Sequence, residues 1–415
     1  MRPRPYPAGG VPTARRPEPG LSFGFPRMHL ERGERRDFLP GLIGLLAGAG
    51  CPVVVESGIG GAMGFTDDDY RATSALVVVA DQRAAFAQDV VVILRAPEDR
   101  LAWMRTGATL VSMLHFPTRP ARVARLRELG LEAVSLDSLA NDEGHRLVEN
   151  MRAVGWNGVE AAFDALARTC PRLTRPGRGP VRVTVLGAGT VGKHAVEAAT
   201  KYGNPSRNRA LTELGLPGPL VTVVGRNVTD DARAMRSLLW STDVLVDASR
   251  RSDTTRPLVP NAWLAWLPAH AVVCDLVVDP YLLDADPPTV RSIEGIPQGD
   301  LDRWTLPPDD PAWEHTIPRG IPAEHRRTVV SCYSWPGVHP EACMRHYQDQ
   351  LGPLLLKLVE RGGIDGVRSD GGTRERALWR ASLRSWLPAV DAGPLELVRG
   401  TGGVRRGGKL TLATG

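Results

Sequence analysis

One stretch limits this chain more than any other. VRVTVLGAGTVGKHAVEAATKYG joins a continuous apolar run to a helical pattern through three glycines, Gly187, Gly189 and Gly192. Val191, Ala195, Ala198, Ala199 and Tyr202 follow at helical spacing, so the segment reads as strand, tight turn and helix. Each glycine has its own reason. Gly187 permits the turn, Gly189 lets a backbone approach a pyrophosphate, and Gly192 lets the helix sit close to the strand. The first helical residues, Thr190 and Val191, would offer their amides to phosphate charge. This context predicts a dinucleotide-binding Rossmann unit, against the plainer alternative of an ordinary strand-to-helix turn.

The next strand of such a unit usually ends in Asp or Glu, which binds the ribose hydroxyls. Here the candidate strand, VTVVGRN, carries Gly225 and then Arg226. A guanidinium pairs well with a 2′-phosphate, so NADP(H) is favoured and NAD(H) stays possible. Arg226 as a merely solvated side chain is the competing explanation. An apparent insertion, NPSRNRALTELGLPGP, precedes that strand.

Two series of apolar runs surround this unit. LSFGF, PVVVES, ALVVVA, DVVVILRAP, ATLVSML and LEAVSL form the first, with GLIGLLAGAG as a crossover helix. VRVTVLG, VTVVG, DVLVDAS, AVVCDLVVD and VVSCYSW form the second. Strands this continuously apolar belong to parallel sheets covered on both faces, so the chain is α/β. Its 415 residues also exceed what one core usually serves. The basic, Pro/Gly-rich segment CPRLTRPGRGP between the series reads as a linker.

Composition narrows the function. Hydrophobic residues make up 42% and charged residues 23%, the balance of a folded globular protein. A net charge of +5, with arginines spread among acidic residues, gives no nucleic-acid stripe. Cys51, Cys170, Cys274, Cys332 and Cys343 are scattered and include no CxxC pair, so neither a metal site nor a disulfide framework is expected. No apolar run is long enough for a bilayer, and a cytoplasmic protein is expected. Residues 1–20 and 400–415 read as a flexible leader and tail.

The order of the landmarks adds a resemblance. FGFPRMHLERGERRDFLP, PVVVESGIGGAMGFTDDDY, VVILRAP, SMLHF, GAGTVG, VVCDLVVD and SWPGVHP follow one another as in the alanine dehydrogenase and pyridine nucleotide transhydrogenase superfamily, which includes the lysine-forming saccharopine dehydrogenases. The likeness covers most of the chain. NDEGHRLVENMRAVGWNGVEAA looks more like the saccharopine branch, and the choice of branch stays open. The resemblance implies two doubly wound domains, with a Rossmann domain (166–330) inserted into a discontinuous substrate domain (21–165 and 331–399). It also implies a homo-oligomer and a small amino-acid or 2-oxo-acid substrate, while the charge distribution and the lack of a long apolar run predict neither nucleic acid nor membrane as partner.

It carries roles onto particular residues. Arg35, with Arg36 beside it, matches the arginine that holds the substrate carboxylate. Arg95 stands where the family has a lysine; it can bind a carboxylate but cannot shuttle protons near neutral pH. His115 matches the catalytic histidine, an acid/base suited to a carbonyl oxygen or carbinolamine. Asp279 matches the cleft aspartate, with Asp275 as competitor and a turn-capping role as the bland alternative. Trp335 and Gly337, in WPGVHP with Pro336 and His339, match the loop near the nicotinamide, although Ser334 replaces the family's asparagine. Taken together these imply hydride transfer at the α-carbon of an amino acid or secondary amine. The alternatives are a catalytically silent nucleotide-binding module and a redox-neutral cyclodeaminase-type enzyme.

Overall fold

The computed structural model describes residues 20–28 and 32–386. The expected leader, apart from Gly20, and the expected tail lie outside the described residues. Two six-stranded sheets organise the rest. The first contains β1 (Phe23–Phe25), β2 (Val53–Glu56), β3 (Val77–Ala80), β4 (Val90–Val92), β5 (Thr109–Ser112) and β6 (Glu132–Ser135), in the order β3-β2-β1-β4-β5-β6 with every pairing parallel. The second contains β7 (Arg182–Leu186), β8 (Leu220–Val224), β9 (Val244–Asp247), β10 (Val272–Asp275), β11 (Thr305–Leu306) and β12 (Thr328–Ser331), in the order β11-β12-β10-β9-β7-β8. The two-residue β11 runs antiparallel on its edge, too short to leave a signal in the sequence.

The apolar runs become strands because both sheet faces are covered. Phe23, Val53, Val90 and Leu110 in the first sheet, and Val185, Val246 and Val272 in the second, are almost wholly excluded from solvent. The strand order reverses beside β1 in one sheet and beside β7 in the other, and the crevice at such a reversal is where open α/β sheets bind ligands.

The chain returns to its first core after completing the second. Met344, Leu351 and Leu358 on the helix Pro340–Glu360, followed by Leu378, pack in the same core as Leu42, Val55 and Val111. The architecture is therefore the expected one, a Rossmann unit inserted into a discontinuous α/β domain. The helix Met151–Thr169 puts Val159, Ala162, Phe163 and Leu166 into the second core, although most of its sequence lies on the first domain's side of the expected division after residue 165. The apparent insertion ahead of β8 forms the helix Pro205–Glu213, capped by the Asn204 side chain accepting from the amides of Ser206 (2.8 Å) and Arg207 (3.4 Å). No helix among the described residues is long and apolar enough to cross a membrane.

Helix Met151–Thr169 also packs backbone to backbone against the helix Thr190–Ala199. A Cβ on Gly155 would lie 2.8 Å from both the Ala195 amide nitrogen and the His194 Cβ on the helix that follows the glycine turn. Gly155→Ala gains about 1 kcal/mol of helix propensity. Forcing two backbones apart costs about 1–3 kcal/mol, so the variant is expected to be less stable in urea unfolding. A gain in stability would show that the helices can separate freely.

Candidate active site

The glycine turn lies at the carboxyl end of β7, between β8 and β9. Gly187 has φ +98°, and a Cβ there would stand 2.6 Å from the Ala248 carbonyl oxygen, so only glycine makes this turn without strain. At Gly192 a Cβ would fall 2.2 Å from the Gly187 carbonyl oxygen, which brings the helix Thr190–Ala199 directly onto the turn. A Cβ on Gly189 would meet no atom within 4 Å. That free space borders a cavity of about 580 Å³ lined by Gly187, Gly189, Gly225, Arg226, Arg250 and Trp263. No side chain caps the helix, and Gly189 and Thr190 are exposed at its start. The turn thus has the room, and the helix end the uncapped geometry, to hold a pyrophosphate.

His115 stands three residues beyond β5 in the left-handed region, at φ 51° and ψ 48°. Asp137 follows β6, the next strand, by two residues, and in-register pairing of Ser112 with Ser135 brings the two strand ends together. The Asp137 carboxylate accepts from the amides of Leu114 (3.0 Å) and His115 (3.1 Å) and from the Ser135 hydroxyl (2.7 Å). Its other oxygen lies 3.3 Å from His115 Nδ1. Burial alone would raise the Asp137 pKa. The hydrogen bonds from His115 and Ser135 outweigh burial and hold it far below the usual carboxylate range. An ionised Asp137 therefore fixes both the strained backbone of His115 and the orientation of its ring. With Nδ1 turned to Asp137, Nε2 is the nitrogen left for proton exchange; the imidazole is half exposed. Asp137 was not anticipated from sequence, because its pairing with His115 depends on the order of β5 and β6.

A second group forms where the N-terminal segment meets the second domain. Arg36 donates from Nε (2.8 Å) and Nη2 (2.6 Å) to the two oxygens of Glu34, and both side chains are buried. Burial would raise the Glu34 pKa, but the Arg36 pair and the charge of Arg95 keep it lowered. Arg95, just beyond β4, holds its guanidinium 5.3 Å from the centre of the Tyr333 ring. Gly337 lies over Arg36, whose Cζ would be 3.2 Å from a Cβ at that position. Arg35 points away from this group, to the Asp302 carboxylate (2.5 Å) and the Leu301 carbonyl (3.4 Å). Arg35 and Arg36, adjacent in sequence, thus serve different surroundings.

The aspartates after β10 separate in the same manner. Asp275 is buried and accepts from Arg291 Nη1 (2.8 Å), the Ser331 hydroxyl (3.0 Å) and the amides of Val277 (3.1 Å) and Val278 (2.8 Å). Asp279 accepts from Arg251 Nη2 at 2.5 Å. Arg251 lines the cavity beside the glycine turn, which puts Asp279 on that side of the fold. Trp335 is buried, donates to the Asp275 carbonyl (2.8 Å), and has its own carbonyl held by Asn157 (2.9 Å). The loop is thereby anchored to the second core. Among the described residues no cluster could hold a metal ion.

The family description "Alanine dehydrogenase/PNT, N-terminal domain" matches residues 30–152. The chain is 26% identical over 258 residues to an alanine dehydrogenase from Halomonas elongata, covering 58% of this chain and 65% of that protein. Against the NAD(P) transhydrogenase subunit alpha of Cereibacter sphaeroides it is 29% identical over 191 residues, covering 44% of this chain and 36% of that one. The match therefore spans less than two thirds of either relative. The fold agrees with a solved L-alanine dehydrogenase at a TM-score of 0.65 and 19% identity, covering 89% of this chain and 99% of the other. These matches support the alanine dehydrogenase/PNT superfamily as what the chain is similar to, through residues 30–152 and the curated relatives in sequence and through the solved structure in fold.

Asp247 supplies a test of the site's electrostatics. It ends β9 opposite Asp275, is buried, accepts from the Ser249 amide, and has one oxygen without a hydrogen-bond partner. Burial first, and then the Asp275 charge, push its pKa up to about 6. The folded state consequently binds the proton more tightly than the unfolded state. Stability falls as pH rises from about 4 to about 6 and stays lower above that. Asp247→Asn, which carries no charge, is expected to flatten this fall and to raise stability at pH 8 by about 2 kcal/mol. Thermal melts from pH 4 to pH 8 check this. An unchanged slope in the variant would mean that Asp247 carries no such burden.

Proposed function

We propose that this chain is a pyridine-nucleotide-dependent amino-acid dehydrogenase, acting on the CH–NH2 group of an amino acid or the CH–NH group of a secondary amine. The similarity to alanine dehydrogenases supports the reaction class. The observation that carries the reading is the pairing, in one chain, of an open glycine turn with a histidine ordered by a buried carboxylate. NADP(H) is the favoured cofactor, because Gly225 and Arg226 stand where a carboxylate would bind unphosphorylated ribose. The substrate is a small amino acid or its 2-oxo counterpart, and the setting is a cytoplasmic homo-oligomer. The proposed division has a catalytic domain on either side of the nucleotide domain, with the helix Met151–Thr169 on the nucleotide side.

Gly187, Gly189, Gly192 and the amides of Thr190 and Val191 would hold the pyrophosphate, Arg226 the 2′-phosphate of the adenosine ribose, and Trp335 and Gly337 would belong to the loop beside the nicotinamide. When bound, the nicotinamide accepts or donates the hydride. The protein's own work is to orient the substrate and to move a proton. Arg95 would bind the substrate carboxylate, its always-charged planar fork standing over the Tyr333 ring in the group that Glu34 and Arg36 form. His115 Nε2 would take or give the proton at the substrate nitrogen or oxygen, while Asp137 stabilises the imidazolium formed. Asp279 would assist with the amine or with a water.

A catalytically silent nucleotide-binding module is the second reading, and the arginine at position 95 is what favours it. Titration with NADP and NAD, followed by an amino-acid panel at high pH, separates the two. Nicotinamide absorbance should change with at least one amino acid. Tight nucleotide binding without turnover would establish the silent module, and amino-acid loss at constant absorbance would establish a redox-neutral enzyme. Gly189→Leu should abolish nucleotide binding by filling the free space. Asp137→Asn, which keeps an acceptor for the Leu114 and His115 amides, should lower kcat about 10- to 100-fold with nucleotide affinity unchanged. A kcat within twofold of the parent's would remove the histidine from the chemistry.

A further inference from the structure

The nucleotide cavity is lined by four arginines whose situations differ. Arg251 is committed, donating to Asp279 (2.5 Å), to the Val290 carbonyl (2.6 Å) and to the Arg256 carbonyl (2.7 Å). Arg256 reaches Asp253 from Nε at 3.2 Å. Arg226, directly after Gly225, and Arg250, three residues beyond β9, are exposed, and among the described residues neither guanidinium has a hydrogen bond or ion pair. Asp230, on the same lining, likewise forms no ion pair among the described residues, so two free guanidiniums face one free carboxylate.

Topology explains why these two belong together. β8 and β9 flank β7, so the arginines leave the sheet on opposite sides of the glycine turn, their strands about 10 Å apart at two strand spacings. The pyrophosphate needs neither of them, because the helix N-terminus serves it. A phosphate monoester carries between one and two negative charges near neutral pH, more than one guanidinium neutralises. A planar fork that stays charged at every relevant pH is the side chain suited to it.

We propose that Arg250 is the second arm of a clamp, with Arg226 as the first, that closes on the 2′-phosphate of an adenosine ribose and selects for the phosphorylated dinucleotide. The proposal rests on the reading that this cavity holds a pyridine dinucleotide, and it adds a residue that the Gly225-Arg226 signal does not reveal. Arg251, the sequence neighbour, is excluded from the role because Asp279 and two carbonyls already hold it.

The test is calorimetric titration of the full chain with adenosine 2′,5′-bisphosphate and with 5′-AMP, which differ only in the 2′-phosphate. The parent should prefer the bisphosphate by at least about tenfold, as a charge-assisted contact of this kind provides. Arg250→Ala and Arg226→Ala should each weaken the bisphosphate about tenfold and leave 5′-AMP within about threefold, while Arg250→Lys should recover part of the loss as a point charge. Both residues are exposed, and a thermal melt confirms that each variant is folded. If Arg250→Ala weakens both probes alike, or neither, while Arg226→Ala still removes the preference, the second arm is refuted and the NADP reading stands. Should the parent bind both probes equally, the NADP reading fails and the clamp fails with it.

Discussion

The Gly187 carbonyl oxygen occupies the place where any side chain at residue 192 would begin. This contact sets the distance between β7 and the helix Thr190–Ala199, and much of the second domain follows from it. The helix N-terminus is held over the end of the sheet, its first residues open to the cavity, because nothing larger than hydrogen separates the two elements. Gly155 and Gly158 extend the same economy to the other side of the domain. A Cβ on Gly158 would lie 2.1 Å from a Leu276 methyl, so helix Met151–Thr169 presses equally close to the segment after β10. The strand ends carrying Asp247 and Asp275 are therefore sealed from solvent on the side away from the cavity.

Burial at those strand ends forces charges to find partners. Asp275 takes Arg291, Asp279 takes Arg251, Asp137 takes His115 and two amides, and Glu34 takes Arg36. A carboxylate removed from water is tolerable only with compensation of this kind. Asp247 departs from the pattern: its neighbour is another carboxylate and one of its oxygens has no hydrogen bond, so the proton stays on it to higher pH. The unpaired charges of the cavity lie elsewhere, at Arg226, Arg250 and Asp230, where exposure to water makes them affordable.

Much of this was legible in the sequence because it is local. The apolar runs PVVVES, DVVVILRAP and VRVTVLG became β2, β4 and β7, and the GAGTVG turn has the three distinct glycine environments that its spacing implied. The pairing of Asp137 with His115 was not legible, since it depends on which strands adjoin in the sheet, and 22 residues separate the partners. Nor was the contrast between Arg35 and Arg36. A change of one position in a loop decides whether a guanidinium is buried against Glu34 or reaches Asp302 on the second domain, and the sequence has no period there to set it. Helix Met151–Thr169 illustrates the same limit. Its sequence shows a helix, but only packing decides which core receives its apolar face.

On the proposed reading, the arginine at position 95 redistributes the work of the site instead of merely removing a group from it. A lysine at the end of β4 could both bind a carboxylate and exchange a proton, whereas a guanidinium does only the first. Arg95 also lies 5.3 Å from the centre of the Tyr333 ring, and near enough to Glu34 to lower its pKa, a fixed positive centre. In the proposed reaction, proton exchange then falls to His115, just beyond the adjoining strand β5, whose ring is already oriented by an ionised carboxylate. A single acid/base suffices for hydride transfer at carbon if the second proton comes from solvent, and the half-exposed imidazole is open to it. The cost falls on steps that need two positioned proton carriers at once, such as forming and then collapsing a carbinolamine. Oxidation of a secondary amine, or reduction of an imine formed free in solution, makes lighter demands on this site than complete reductive amination of a 2-oxo acid.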